Sequence, residues 1–147
     1  MKANEFRGSM IDINSIADYV KGGRGMFTME STQSGKHLTY RITCPKTTEA
    51  GKEKPLWVSV LCGDNKFQFL GTLWLSKLIF YRSPKAKASE NSDSIKGISW
   101  LINHIRSHKN LPSGMNFWHE GVCCRCGRAL TRPESIVNGI GPVCSNL

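Results

Sequence analysis

Acidic side chains are scarce in this chain of 147 residues, which has 11 Asp and Glu against 20 Lys and Arg. The acids are also scattered, as Asp12, Asp18, Glu30 and Asp64 illustrate. None stands at a recognisable spacing from a histidine, as an acid–base pair or a catalytic triad would require. The sequence therefore predicts a protein that is not an enzyme and has no small-molecule substrate.

Long apolar runs are missing as well, and so are internal repeats and heptads. The longest apolar stretches are of strand length, too short to span a bilayer. Met1 to Glu5 lead into polar sequence without the apolar block of a signal peptide, so we expect a cytoplasmic chain with no membrane partner. In that reducing compartment Cys44 and Cys62 are expected to be buried thiols and not disulfides.

The last thirty residues hold a dense group of potential metal ligands. Cys123 and Cys126, followed by Gly127, have the spacing of a zinc knuckle, in which two thiolates converge on one ion. Cys144 follows after 17 intervening residues, and His119 precedes Cys123 by four positions. These four residues predict a closed Cys₃His set for Zn²⁺. Because such a set leaves no position for water or substrate, the metal is expected to be structural.

The sequence offers two alternatives to this ligand set. Cys124 is a rival ligand, but its spacing from Cys126 is tighter than that of a knuckle, so we expect it to be unligated. A redox pair at Cys123 and Cys126 would need a helix directly after the first cysteine. Gly127 and a capping box at Thr131 instead postpone the helix, which is expected to end at Asn138-Gly139.

The motif CxxCGRxLTxPESI at residues 123–136, followed by GIGPxC at 139–144, resembles a short zinc-finger-like family of unknown function. That family is found in small bacteriophage and mobile-element proteins, and the resemblance covers about the last quarter of the chain. It implies Cys123, Cys126 and Cys144 as ligands, and the run Trp118 to Gly121 supports His119 as the fourth. It also implies a phage-encoded protein, which would act in the host cytoplasm.

Upstream, hydrophobic patterning predicts an α+β fold, in which a small antiparallel sheet is covered by one main helix and followed by the Cys₃His zinc module. A meander of four or five strands is expected at Met26–Glu30, His37–Thr43, Leu56–Leu61, Phe67–Leu70 and Leu73–Tyr81. The helix, Ser94–Ser107, presents one apolar stripe consisting of Ile95, Ile98, Leu101, Ile102 and Ile105. The predicted domains are an N-terminal helical element (1–24), sheet plus helix (25–116), and zinc module (117–147).

Two features lie outside this pattern. Residues 83–93 are polar, small and charged, so they are interpreted as a linker. A short helix is expected around Ser15 to Val20, with Ser15 as its cap. Trp100 falls off the apolar stripe of the main helix. It is predicted to anchor the zinc module, the alternative being an exposed functional surface.

Basic side chains are the main functional clue outside the metal site. The net charge is +9, and residues 77–109 hold seven basic against two acidic side chains. Such a segment can neutralise phosphates and release counterions. Trp57, Trp74 or Tyr81 could stack on bases if exposed on the sheet. The candidate contacts to nucleic acid or another partner are Lys85, Lys87, Lys96, Arg106, Arg125, Arg128 and Arg132.

Two functional hypotheses follow from these features. The first is a phage or mobile-element accessory protein that binds DNA or RNA, with zinc holding the C-terminal arginines beside the basic linker. The second is a protein-binding inhibitor of a host defence or replication enzyme, an anti-defence role similar to that of anti-CRISPR proteins. Salt dependence distinguishes them, because backbone binding weakens steeply with salt.

Overall fold

The computed structural model describes residues 8–45, 53, 55–130 and 133–141. Within these residues a seven-stranded antiparallel sheet has the order β1-β7-β2-β3-β4-β5-β6. Its strands are β1 (Gly8–Ser9), β2 (Met26–Ser31), β3 (His37–Thr43), β4 (Leu56–Leu61), β5 (Phe67–Trp74), β6 (Ile79–Arg82) and β7 (Met115–His119). The same ranges form three helices: α1 (Ile13–Val20), α2 (Asp93–Arg106) and α3 (Pro133–Asn138). The predicted antiparallel sheet with few helices is confirmed, although seven strands exceed the expected four or five.

The main differences from the predicted strands concern β5 and β7. β5 continues through the expected break, because a bulge opposite Val58 and Ser59 lets Leu70 and Gly71 stay within one strand. The chain turns instead at Leu78, whose φ is 51°. The last three residues of β7, Phe117 to His119, were predicted as part of the zinc module, yet β7 pairs with β1 and β2 inside the sheet. The predicted module boundary at residue 117 therefore falls within a strand.

All three helices lie on the same face of the sheet. Phe27 is the cross-strand partner of both Tyr40 and His119, so these three side chains point to one face. Tyr40 Oη donates to the carbonyl of Ser94 in α2, 2.7 Å away. His119 stacks on Tyr19 of α1 and bonds to α3. In the part of the chain that the structure describes, no helix packs on the opposite face.

The helix caps differ from those predicted. α1 begins at Ile13 and is capped by Asp12, whose Oδ2 accepts from the Ser15 backbone N–H at 3.2 Å. α2 is capped by Ser92 instead of Ser94. The apolar stripe predicted for α2 is confirmed, since all five of its residues are buried. Among the described residues no helix has the length and apolarity needed to cross a membrane.

Gly97 allows α2 to lie close to β3. A Cβ at this position would be 2.6 Å from Tyr40 Oη and 3.2 Å from Leu38 Cδ1. Although alanine favours a helix over glycine by about 1 kcal/mol, overpacking a fitted contact costs about 1–3 kcal/mol. We therefore expect Gly97→Ala to lower the free energy of unfolding in a urea titration. Ser99→Ala on the same helix is the control, and an unchanged or raised stability for Gly97→Ala would contradict this packing.

Trp100 does not lie against the described part of the predicted zinc module. Its ring is 4.1 Å from that of His104, centroid to centroid, and it packs at the edge of the core. It lines an apolar groove of about 700 Å³ between α2 and the strands, together with Met29, Leu38 and Met115. Trp100 is therefore part of a groove and not an anchor for the described C-terminal segment.

Candidate zinc knuckle and open sheet face

Residues 122–129 form a tight hairpin, the cysteine knuckle. Val122 and Ala129 are bridged in antiparallel fashion. Within the hairpin the Gly127 N–H donates to the Cys123 carbonyl at 2.9 Å, and Gly127 has a φ of 78°. A side chain at this left-handed position would be strained, so the glycine fixes the turn that brings the two cysteines together.

The knuckle gives Cys123 the surroundings of a thiolate. Its Sγ accepts N–H bonds from Arg125 at 3.4 Å and Gly141 at 3.3 Å. Burial raises the pKa of this thiol, but backbone bonds from Gly141, Cys126 and Arg125 outweigh it and lower the pKa to about 7. Neither Cys123 nor Cys126 is in a disulfide. Both residues fit the two thiolate ligands that a zinc knuckle supplies.

The knuckle is held against the end of α1. Tyr19 Oη donates to the Val122 carbonyl at 2.8 Å, and the Arg24 N–H donates to the Cys124 carbonyl at 2.8 Å. Cys124 is buried, and its Sγ lies beside Gly22, where a Cβ would approach it to 2.6 Å. Cys124 thus packs against the chain that follows α1, and its absence from the ligand set stays a prediction.

His119 occupies both of its ring nitrogens within the fold. Nδ1 accepts from the Gly121 N–H at 3.0 Å, so Nε2 carries the proton and donates to the Ile136 carbonyl. Burial lowers the pKa of the ring despite the opposing effect of the bond to Ile136. Ligation by His119 would require one of these bonds to break. In this arrangement the side chain ties β7 to α3, and its role as a ligand stays a prediction.

The remaining predicted ligand, Cys144, lies outside the described residues, as do Thr131 and Arg132. Within the described ranges, no group of three or more His, Cys, Asp or Glu side chains could hold a metal ion. The geometry that bears on zinc is therefore that of Cys123 and Cys126.

Residues 117–145 match the model of DUF6011, a family of unknown function. The DUF6011 match begins inside β7 and covers about a fifth of the chain, including the knuckle and α3. The predicted resemblance of the C-terminal segment to a family of unknown function is confirmed at that level. No curated protein and no solved structure matches the chain.

The sheet face opposite the helices, here called the open face, bears a continuous cross-strand row. Thr43 pairs with Trp57, Trp57 with Thr72, and Thr72 with Tyr81, so all four side chains point the same way. Trp57 and Tyr81 remain 44% and 54% exposed. Trp74 joins them, donating from Nε1 to Thr72 Oγ1 at 3.2 Å. The three aromatic residues suggested by the sequence therefore share one face.

The β2 and β7 side of the open face is polar. Thr28 Oγ1 donates to Glu120 Oε1, and the Thr39 hydroxyl lies 2.7 Å from that of Thr28. Glu120 Oε1 also accepts from Trp118 Nε1 at 2.9 Å. These groups are hydrogen-bonded to one another, whereas the exposed rings of Trp57 and Tyr81 lie on β4 and β6.

The predicted basic residues do not form one patch. Lys96 and Arg106 are exposed on α2, on the helix side, whereas Arg125 and Arg128 are exposed on the knuckle. Lys85 and Lys87 are exposed after β6, which is separated from β7 by four strands or about 24 Å. The expected proximity of the C-terminal arginines to the basic linker stays a prediction.

The segment predicted as a linker is an ordered turn. Arg82 donates from Nε to the Ala88 carbonyl at 2.8 Å and from Nη2 to the Ala86 carbonyl at 3.1 Å. Ala86 itself is buried. Because Arg82 pairs with Gly71 and points to the helix side, the segment that it holds lies away from the open face. Of the two predicted thiols, Cys44 is half-buried, but Cys62 is exposed, which corrects the expectation that both would be buried.

Sequence reasoning did not single out Arg24 and Arg41. Arg41 is on the open face, as the cross-strand partner of Ser59, which in turn pairs with Phe69. The alternation of Thr39, Arg41 and Thr43 with buried Tyr40 and Ile42 is the signal that could have placed it there. Arg24 contacts the knuckle through the Cys124 carbonyl, and no local sequence pattern indicates a contact between such distant segments.

Proposed function

We propose that this chain is a non-enzymatic nucleic-acid-binding protein whose open face binds single strands. The row Thr43–Trp57–Thr72–Tyr81, with its two exposed aromatic rings, carries this proposal. Exposed rings of this size are costly to leave in water. Stacking of a base on an aromatic side chain contributes about 1–3 kcal/mol and tolerates any sequence.

The spacing of the rings favours unpaired bases. Trp57 and Tyr81 lie two strands apart, roughly 10 Å across the sheet. A flat sheet can present such rings to bases that are splayed out of a stack. In a duplex the faces of neighbouring bases cover one another, so they are closed to these side chains. The net charge of +9 adds attraction to any phosphate backbone.

The knuckle has a structural part in this proposal. Cys123, Cys126 and Cys144 would hold Zn²⁺, with His119 as the predicted fourth ligand, and the ion would supply a cross-link between the hairpin and the segment after α3. A metal enclosed by protein ligands supports a binding role and not catalysis. An accessory role in a phage or mobile element, within the host cytoplasm, is implied by the family resemblance alone.

Tryptophan fluorescence tests the proposal directly. Titration of the protein with random-sequence single strands is expected to quench the emission, because a stacked base contacts Trp57. Affinity should fall as salt rises, and duplexes of the same length should bind less tightly. A protein that binds neither form at low salt would rule out the proposal.

A second candidate function is binding of a protein partner, and the groove beside Trp100 favours it. Its floor contains Met29, Leu38 and Met115, and methionines make adaptable contact surfaces. A partner that resists nuclease treatment and is lost on Trp100→Ala, but not on Trp57→Ala, would support an inhibitor instead of a nucleic-acid-binding protein.

A further inference from the structure

A third exposed ring lies on the open face, beside the cross-strand row described above. Phe69 in β5 remains 38% exposed, and its cross-strand partner is Ser59 in β4. Ser59 follows Trp57 by two residues, and the pairing of β4 with β3 is regular over this stretch. Because side chains two residues apart in a strand point to the same face, Trp57, Ser59 and Phe69 all lie on the open face.

The spacing of Trp57 and Phe69 suits one base between them. They are diagonal neighbours across β4 and β5, a relation that places residues roughly 7–8 Å apart, with side chains roughly perpendicular to the sheet. A base between two rings needs two stacking distances of about 3.4 Å each. In the described part of the chain neither ring stacks on another aromatic ring, and the residues flanking the gap, Ser59 and Thr72, are small.

The hydroxyl of Ser59 lies at the floor of this gap. Ser59 is only 9% exposed, and its hydroxyl has no hydrogen-bond partner among the described residues. Within the same residues Arg41 Nε is the one fully buried side-chain polar atom without a partner, so the Ser59 hydroxyl keeps contact with solvent. A ligand that covers this hydroxyl must hydrogen-bond to it or leave it unsatisfied. The edge of a base offers both donors and acceptors, whereas an apolar group offers neither.

We propose that one base of a single strand binds between Trp57 and Phe69, with its edge hydrogen-bonded to the Ser59 hydroxyl. The inference rests on the proposed function, which supplies the single strand. Continuity with the proposed row supports it, because Trp57 belongs both to the row and to this base position. A strand that places one base on Tyr81 would then place another beside Phe69, so the open face takes at least two bases.

Two single variants test this base position. With a labelled random-sequence single strand, anisotropy titrations should show about tenfold weaker binding for Phe69→Leu, which keeps an apolar side chain but removes the ring. Ser59→Ala should weaken binding about threefold, the effect of one hydrogen bond. A strand of abasic nucleotides keeps every phosphate but has no base, so both variants should bind it as the wild type does. Phe69→Tyr, which keeps the ring, should retain most of the affinity.

The matched control is Ile11→Ala, which shortens an exposed apolar side chain between β1 and α1. Its affinity for the random-sequence strand should equal that of the wild type. An equal loss for Ile11→Ala and Phe69→Leu would mean that exposed apolar surface in general supports binding, and would overturn the base position. Far-UV circular dichroism checks that each variant is folded.

The outcomes separate failure of this base position from failure of the proposed function. A wild-type protein that binds no single strand at low salt rejects both. If the wild type binds and alanine at Trp57 and Tyr81 weakens binding, while Phe69→Leu and Ser59→Ala have no effect, only the base position is rejected. Equal losses of Phe69→Leu on base-bearing and abasic strands would also reject it, because the ring would then act through the fold.

Discussion

Replacing Trp57 and Tyr81 together by alanine is expected to weaken single-strand binding by roughly 100-fold or more, since each stacked base contributes about 1–3 kcal/mol. The salt slope should change little, because neither side chain carries charge. Both rings are about half exposed on the open face, so the loss of stability should be much smaller than for a core aromatic. Fluorescence anisotropy with a labelled oligonucleotide measures the affinity, and urea titration measures the stability.

The matched control keeps the rings and alters only their polar atoms. Trp57→Phe with Tyr81→Phe should retain most of the affinity, because stacking needs only an aromatic face. If the alanine pair binds as tightly as the wild type, bases do not stack on this row. Equal losses for the phenylalanine and alanine pairs would point to hydrogen bonding by the indole and phenol groups instead.

Loss of the proposed zinc ion should affect the fold more than loss of the Trp57 and Tyr81 rings. Structural zinc sites contribute about 10–16 kcal/mol of apparent binding free energy in small modules. We therefore expect Cys126→Ala or Cys144→Ala to release about one zinc ion per chain and to unfold the knuckle. Elemental analysis gives the metal content, and hydrogen exchange of residues 122–141 reports the local unfolding. A wild-type protein purified without chelator and free of zinc would reject the site.

Two further variants decide the ligand set. Cys124→Ser should keep the metal, because Cys124 packs against Gly22. His119→Gln tests whether His119 is a zinc ligand or acts only through its hydrogen bonds within the fold. If the ion is lost while β7 and α3 stay protected from exchange, His119 is a ligand. If the ion stays and the α3 amides lose protection, the ring acts through its bond to Ile136.

The sequence predicted best what local periodicity determines. The five apolar residues of α2 are buried as expected, and β2, β3 and β4 agree with their predicted ranges within one residue. β5 was predicted as two separate strands, with Gly71 and Thr72 between them. The bulge beside it and the close approach of the Tyr81 carbonyl explain why a glycine lies within the strand.

Features that depend on contacts between distant segments of the chain were not predicted. β7 has a strand pattern, but its last three residues, Phe117 to His119, were assigned to the metal module because of the neighbouring cysteines. The knuckle turn itself could be predicted from Gly127, whereas the engagement of His119 with Ile136 could not. Sequence spacing shows which side chains can reach a metal, but not which of these side chains are hydrogen-bonded to other groups in the fold. The sequence did not indicate the open face either, since β4 has apolar residues on both of its sides.

The position of β7 has a consequence for synthesis of the chain. β1 pairs with β7 alone, and β7 separates β1 from β2 although its residues follow α2 in the sequence. A nascent chain that has not released residue 119 from the ribosome would leave β2 as an exposed edge, which invites pairing with other chains. β1 could not pair until β7, about a hundred residues later in the sequence, had been synthesised. Closure of the sheet and formation of the adjoining knuckle would then fall at the same late stage of translation.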